Sequence, residues 1–354
     1  MTTHKIFTLS EFLHESGAKY RIFDMGRRVT KLTPDEFVGF EWAKKPYPYP
    51  FKQSALFGVI FWDPKKADQH YVWFLNFPLD EQGLLKQAAR DAFLKMLLER
   101  VGECMLAAEN GQQIQSALKD SPYTFSPREE KMAAFNAVAT KSLGLPPSSH
   151  YNDALAYFTG DKPLNQWQTL AMQGVADVAM RLDEHEETLS LIETIPKLSD
   201  KVFTVLSSYL ENAPLPTGIA EELVQRVEKE LLEKSPDMAR ICACLRAASN
   251  SPAVGLVDHM VIHILKHDCS NHIEVLATIV GRIWRVLADE TICQLFVERL
   301  ATNDAGQAAF SQLLADAMFM PGLREHIMQA LRSHTRSKEL SHAVGEMFGG
   351  ALSG

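Results

Sequence analysis

Residues Ser251–Asp289 read SPAVGLVDHMVIHILKHDCSNHIEVLATIVGRIWRVLAD, and this stretch decides the fold of most of the chain. Leu256, Val257, Met260, Val261, Ile264 and Leu265 recur at the i, i+3, i+4 spacing of one helix face. After the polar break HDCSN, Ile273, Leu276, Ala277, Val280, Ile283, Trp284 and Leu287 repeat the pattern. These are two amphipathic helices with a short connection between them. Neither buries its stripe alone, so each needs a stacked neighbour.

The same punctuation recurs on both sides. Ser199, Ser235, Ser270, Asn303 and Ser337 are N-cap candidates spaced 36, 35, 33 and 34 residues apart. Asp183, Thr217, Ser251 and Asp289 interleave with them at 34, 34 and 38. A period near 35 with two helices per repeat falls in the range of helical solenoids. Residues 165–354 therefore read as an all-α array of antiparallel helix pairs, HEAT-like in architecture, with a compact helical bundle as the alternative. The residue signatures of tetratricopeptide and ankyrin repeats are missing.

The 354 residues carry 46% apolar and 23% charged side chains, an ordinary globular balance. The length calls for more than one core. No apolar run is long enough to span a bilayer, and the first residues lack the pattern of a secretory signal. Five cysteines, Cys104, Cys242, Cys244, Cys269 and Cys293, fall within helical patterns, as reduced thiols of a cytoplasmic protein would. Residues 1–150 carry a net +2 and residues 151–354 a net −10, so the second part is a poor nucleic-acid surface.

Residues 1–125 read as a small α+β domain. Thr8–Glu15 is a short helix, and Arg21–Phe23 and Arg28–Leu32 form a hairpin with Gly26 as its positive-φ residue. Thr33-Pro34-Asp35-Glu36 is a capping box, while Ala55–Trp62 and Tyr71–Phe77 are strands. A helix is expected over 81–103. With no long crossovers, the sheet is antiparallel. Residues 126–164 follow as a connecting helix, opened by Ser126-Pro127-Arg128-Glu129 and stopped at Gly144, and then a Pro/Ser-rich linker.

From Phe37 to Phe77 there are 13 of the chain's 32 aromatic residues, and Pro46, Pro48 and Pro50 hold WAKKPYPYPF extended. A small sheet core accounts for this concentration. The alternative is a recognition surface in which Trp42, Tyr47, Tyr49, Phe51 and Trp62, beside Arg27 and Arg28 at the hairpin tip, dock a protein partner. With Arg21, Lys31, Lys44, Lys45 and Lys52 the same face would bind RNA.

His259, His263 and His267 lie four apart, a spacing that puts imidazoles on one helix face. Met260 stands where a zinc protease would carry glutamate, and three residues over two turns do not close on one ion unaided. Edge histidines are the plain reading, a metal-dependent enzyme the sharp one. Cys242-Ala-Cys244 is not a CxxC pair, and its side chains diverge on a helix. No phosphate-binding glycine loop or nucleophile elbow occurs. No cofactor is expected.

The pattern YRIFDMGRRV, PYPYP, LFGVIFW and VWFLNFPLDEQGLL resembles an uncharacterised proteobacterial family, a domain of unknown function. The resemblance implies a bacterial cytoplasmic protein and brings no activity, cofactor or catalytic residue. From the residues, the expectation is a non-enzymatic interaction or scaffold protein, with RNA binding and a metal enzyme on the His259–His272 cluster as alternatives.

Overall fold

The computed structural model describes residues 6–66, 69–101, 118, 120–182 and 188–349. Cys104, Asp183 and the expected continuation of a helix to residue 103 lie outside them. The chain divides into two compact units, Met1–Phe135 with Phe319–Pro321, and Asn136–Met318 with Gly322–Gly354. The division falls inside one helix, whose Phe135 packs edge-on against Phe23 and Phe74 of the sheet. Residues 126–135 fall in the first unit and residues 136–164 in the second.

The first unit begins with α1 (Leu9–Glu15), capped by Thr8, whose hydroxyl accepts from the Glu11 amide. Strands β1 (Lys19–Asp24), β2 (Thr30–Lys31), β3 (Ser54–Trp62) and β4 (Tyr71–Pro78) form one antiparallel sheet in the order β2-β1-β3-β4. The central strand β3 is buried along nearly its whole length. That explains why ALFGVIFW reads as a continuous apolar run. On one face Phe57, Val59, Phe61, Trp73, Leu75 and Phe77 meet Phe12, Leu13, Phe37, Phe40, Tyr47 and Phe93. On the other, Phe135 lies over Gly58, where a Cβ would stand 2.7 Å from its ring.

Helix α2 (Pro34–Glu41) starts with the expected reciprocal capping box of Thr33 and Glu36. Gly26 does not take the expected positive φ. The Asp24 carboxylate holds the turn instead, accepting from the Gly26 and Arg28 amides. Gly26 is needed for space, since a Cβ there would lie 3.0 Å from the Phe51 Cβ. Helix α3 (Gln87–Val101) starts later than residue 81. Asp80 folds residues 80–84 into a turn by accepting from the Gln82 and Leu84 amides, with Gly83 at φ +76°.

Helix α4 (Glu129–Leu143) ends at Gly144, whose φ is +69°. The second unit then continues as α5 (Tyr151–Phe158), α6 (Met172–Met180), α7 (Thr188–Thr194), α8 (Asp200–Leu210), α9 (Thr217–Leu231) and α10 (Met238–Ala248). After these come α11 (Val254–Lys266), α12 (Ile273–Arg282), α13 (Glu290–Ala301), α14 (Gln307–Met318), α15 (Arg324–Leu331) and α16 (Lys338–Gly349). Each helix packs on its next-but-one neighbour. The even-numbered helices α6 to α16 form one succession and the odd-numbered α7 to α15 the other. Helices α9, α11, α13 and α15 start 37, 36 and 34 residues apart. Helices α8, α10, α12, α14 and α16 start 38, 35, 34 and 31 residues apart, and several of the expected caps differ.

Asp289 and Ser337 cap as expected, accepting from the Ile292 and Leu340 amides, and Ser199 occupies its cap position without a side-chain bond. Ser235 gives way to Asp237, and Ser270 to His272. Ser270 is buried and donates to the Leu265 and His267 carbonyls. Asn303 and Ser251 bond turn amides two residues on, ahead of their helices, and Thr217 is the first helical residue after Pro216. Residues that cap helices also build tight turns, so Ser235, Ser270, Asn303, Ser251 and Thr217 mark a junction without marking the residue before its helix. Among the described residues no helix is long and apolar enough to cross a membrane.

Candidate functional site

Among the described residues, two places gather side chains that could bind a partner or an ion. The first is where α1 and α2 meet in the first unit. The buried Glu41 carboxylate, at the end of α2, accepts from the Leu9 and Ser10 amides at 2.7 and 3.2 Å and from the Ser10 hydroxyl. It thereby supplies partners for the unpaired amides that begin α1. Burial pushes its pKa up to about 7 despite those donors. The tie places Phe7, ahead of α1, beside Trp42, at the end of α2, with ring centroids 6.2 Å apart. Phe7, Val38 and Trp42 are 41, 40 and 37% exposed. The Arg90 guanidinium lies 5.5 Å from the Trp42 ring and donates to the Glu41 carbonyl. An apolar patch faces solvent, and the Arg90 side chain beside its tryptophan is buried.

The other residues expected on a recognition surface separate. Tyr47 is fully buried in the core, its hydroxyl 2.9 Å from the Asp24 carboxylate. Arg27 and Arg28 are buried as well; the Arg27 Nε donates to the Pro50 carbonyl at 2.7 Å. Trp62 is buried beside the Arg21 guanidinium and the His70 ring. Tyr49 is half-buried, and Phe51 remains exposed with Lys52 over its ring. The sheet needed large side chains on a short segment, and the stiff PYPYP path turns Tyr47 inward. Of the seven residues, Trp42 and Phe51 are exposed, each at 37%.

The second place is on α9 and α11. His259 and His263 are one turn apart on α11, with ring centroids 4.0 Å from each other. Glu228 comes from α9, stacked alongside. Its Oε1 lies 3.1 Å from His259 Nε2 and 3.7 Å from His263 Nδ1. These are the three donors within mutual reach of one ion among the described residues. His267 is not with them: it ends α11, and its Nδ1 accepts from the Cys269 amide. Cys244 and Cys293 are buried with thiols pushed up to about 12, and Cys269, half-buried, to about 11, all by burial. Such thiols are poor nucleophiles at neutral pH.

Among known families, the model described as a protein of unknown function (DUF3549) matches residues 4–348. The chain belongs to the DUF3549 family. No curated protein and no solved structure matches it significantly. In this DUF3549 member, sequence reasoning found the histidine pair but not Glu228, which lies 31 residues before His259 and meets it only through helix stacking. It also missed Glu41, whose role depends on the α1–α2 contact. Arg181, Arg226, Arg285 and Arg299 donate to the carbonyls of Leu145, Ile195, Ser249 and Leu265, 31 to 36 residues earlier. Each satisfies a carbonyl at or beyond the end of an earlier helix, where a cation also meets the negative end of the helix dipole.

Proposed function

We propose that this protein is a non-enzymatic cytoplasmic scaffold or adaptor that binds a protein partner, its second unit acting as a HEAT-like α-solenoid. The observation that carries the reading is the Phe7–Val38–Trp42 patch edged by Arg90. Tryptophan anchors interfaces more often than its surface abundance explains, and apolar neighbours keep water from it. The alternating succession of helices supports the scaffold half, because stacked repeats present long continuous faces on which partners dock. An RNA-binding reading draws less support, since Arg27 and Arg28 are buried.

The test is native purification of the full-length protein beside Trp42→Ala and Val38→Asp variants. A stoichiometric protein partner retained by the wild type and lost from folded variants is the expected result. Recovery of no stoichiometric partner would overturn the reading. Co-purification of RNA, with affinity falling steeply with salt, would replace it.

A further inference from the structure

We propose that Glu228, His259 and His263 form a binding site for a borderline divalent transition ion such as Zn(II), clamping α9 to α11. Three observations on those residues carry this. Histidines one turn apart present their rings on one helix face, and here the rings lie 4.0 Å apart, already converged. The facing carboxylate approaches both through a single oxygen, at 3.1 and 3.7 Å. Tetrahedral zinc with bonds of about 2.05 Å to nitrogen and oxygen holds its ligands about 3.3 Å apart, which these two separations bracket.

The donors come from two neighbouring helices of the odd-numbered succession, so the backbone fixes their approach. All three side chains are partly exposed, which gives an ion a path in. Two imidazoles and one carboxylate favour zinc, nickel, cobalt or copper over magnesium and calcium, which prefer all-oxygen sets. Without an ion, the group is an exposed carboxylate–imidazole contact of small energetic worth. An ion held by this set would join two successive repeats. The inference does not depend on the scaffold reading.

The experiment titrates Zn(II) into the full-length, tag-free protein by calorimetry. One equivalent is expected to bind to the wild type. His263→Ala and Glu228→Gln should each bind at least about tenfold more weakly, a loss of about 1.4 kcal/mol or more. Zinc should raise the melting temperature of the wild type but not of a His259→Ala/His263→Ala double variant. Since all three residues lie at the surface, the variants should match the wild type in circular dichroism. Co(II) should give visible d–d bands without a thiolate charge-transfer band. No binding up to about 1 mM zinc, equal affinity in the double variant, or a thiolate band would each overturn the proposal.

Discussion

Glu211 and Arg246 grip each other through two parallel hydrogen bonds, Nε and Nη2 of the guanidinium each 2.9 Å from one carboxylate oxygen. Glu211 follows α8, Arg246 belongs to α10, and Arg282 of α12 adds a third contact to the same carboxylate at 3.3 Å. The three positions are 35 and 36 residues apart. A buried carboxylate thus fastens three successive helices of one succession, in the bidentate geometry that favours arginine.

Glu211→Ala should therefore destabilise the second unit by about 2–3 kcal/mol, less than a fully buried pair, because water reaches both arginines. Glu211→Gln keeps one acceptor and should lose less. Chemical denaturation at neutral pH checks both, and equal stability of Glu211→Ala and wild type would show the clamp to be idle.

Glu41 gives the first unit a pH dependence. Its folded pKa is raised from 4.5 to about 7, so the folded state holds the proton more tightly than the unfolded chain. The stabilisation that follows is complete below about pH 4.5 and disappears as pH rises through about 7. Asp24, raised from 3.8 to about 6 by burial, acts in the same sense over a lower window. Glu41→Gln removes the first contribution. Its stability relative to wild type should climb between pH 5 and pH 8 in urea titrations; a flat difference would contradict the assignment.

Tyr47→Phe deletes the hydroxyl that donates to Asp24 and leaves the ring in place. The loss should be about 1–2 kcal/mol, because a buried carboxylate loses one of its donors. Thermal unfolding at pH 8, where Asp24 is ionised, should show the larger effect. At pH 4.5, with the carboxyl mostly protonated, the effect should shrink.

Two helical glycines should respond in opposite directions. A Cβ at Gly174 of α6 would sit 2.5 Å from the His150 carbonyl at the start of α5, so Gly174→Ala should cost about 1–3 kcal/mol. At Gly281 of α12 nothing lies within 4 Å, and Gly281→Ala should gain about 0.5–1 kcal/mol from helix propensity. Melting temperatures of the two variants decide this.

What the sequence determined by itself was periodic or local. The apolar stripes of 256–265 and 273–287, the Thr33–Glu36 capping box and the four strands all follow from rules that act within a few residues. So did the histidine pair, because 259 and 263 share a face of any helix. Tertiary structure decided the rest. It alone joined Glu228 to His259 and His263, Glu211 to Arg246 and Arg282, and Glu41 to the start of α1. It also sorted the aromatic segment, sending Tyr47 and Trp62 into the core and leaving Trp42 and Phe51 outside. The physical reason is that local spacing fixes which face a side chain takes, while burial and partners depend on which other element lies against that face.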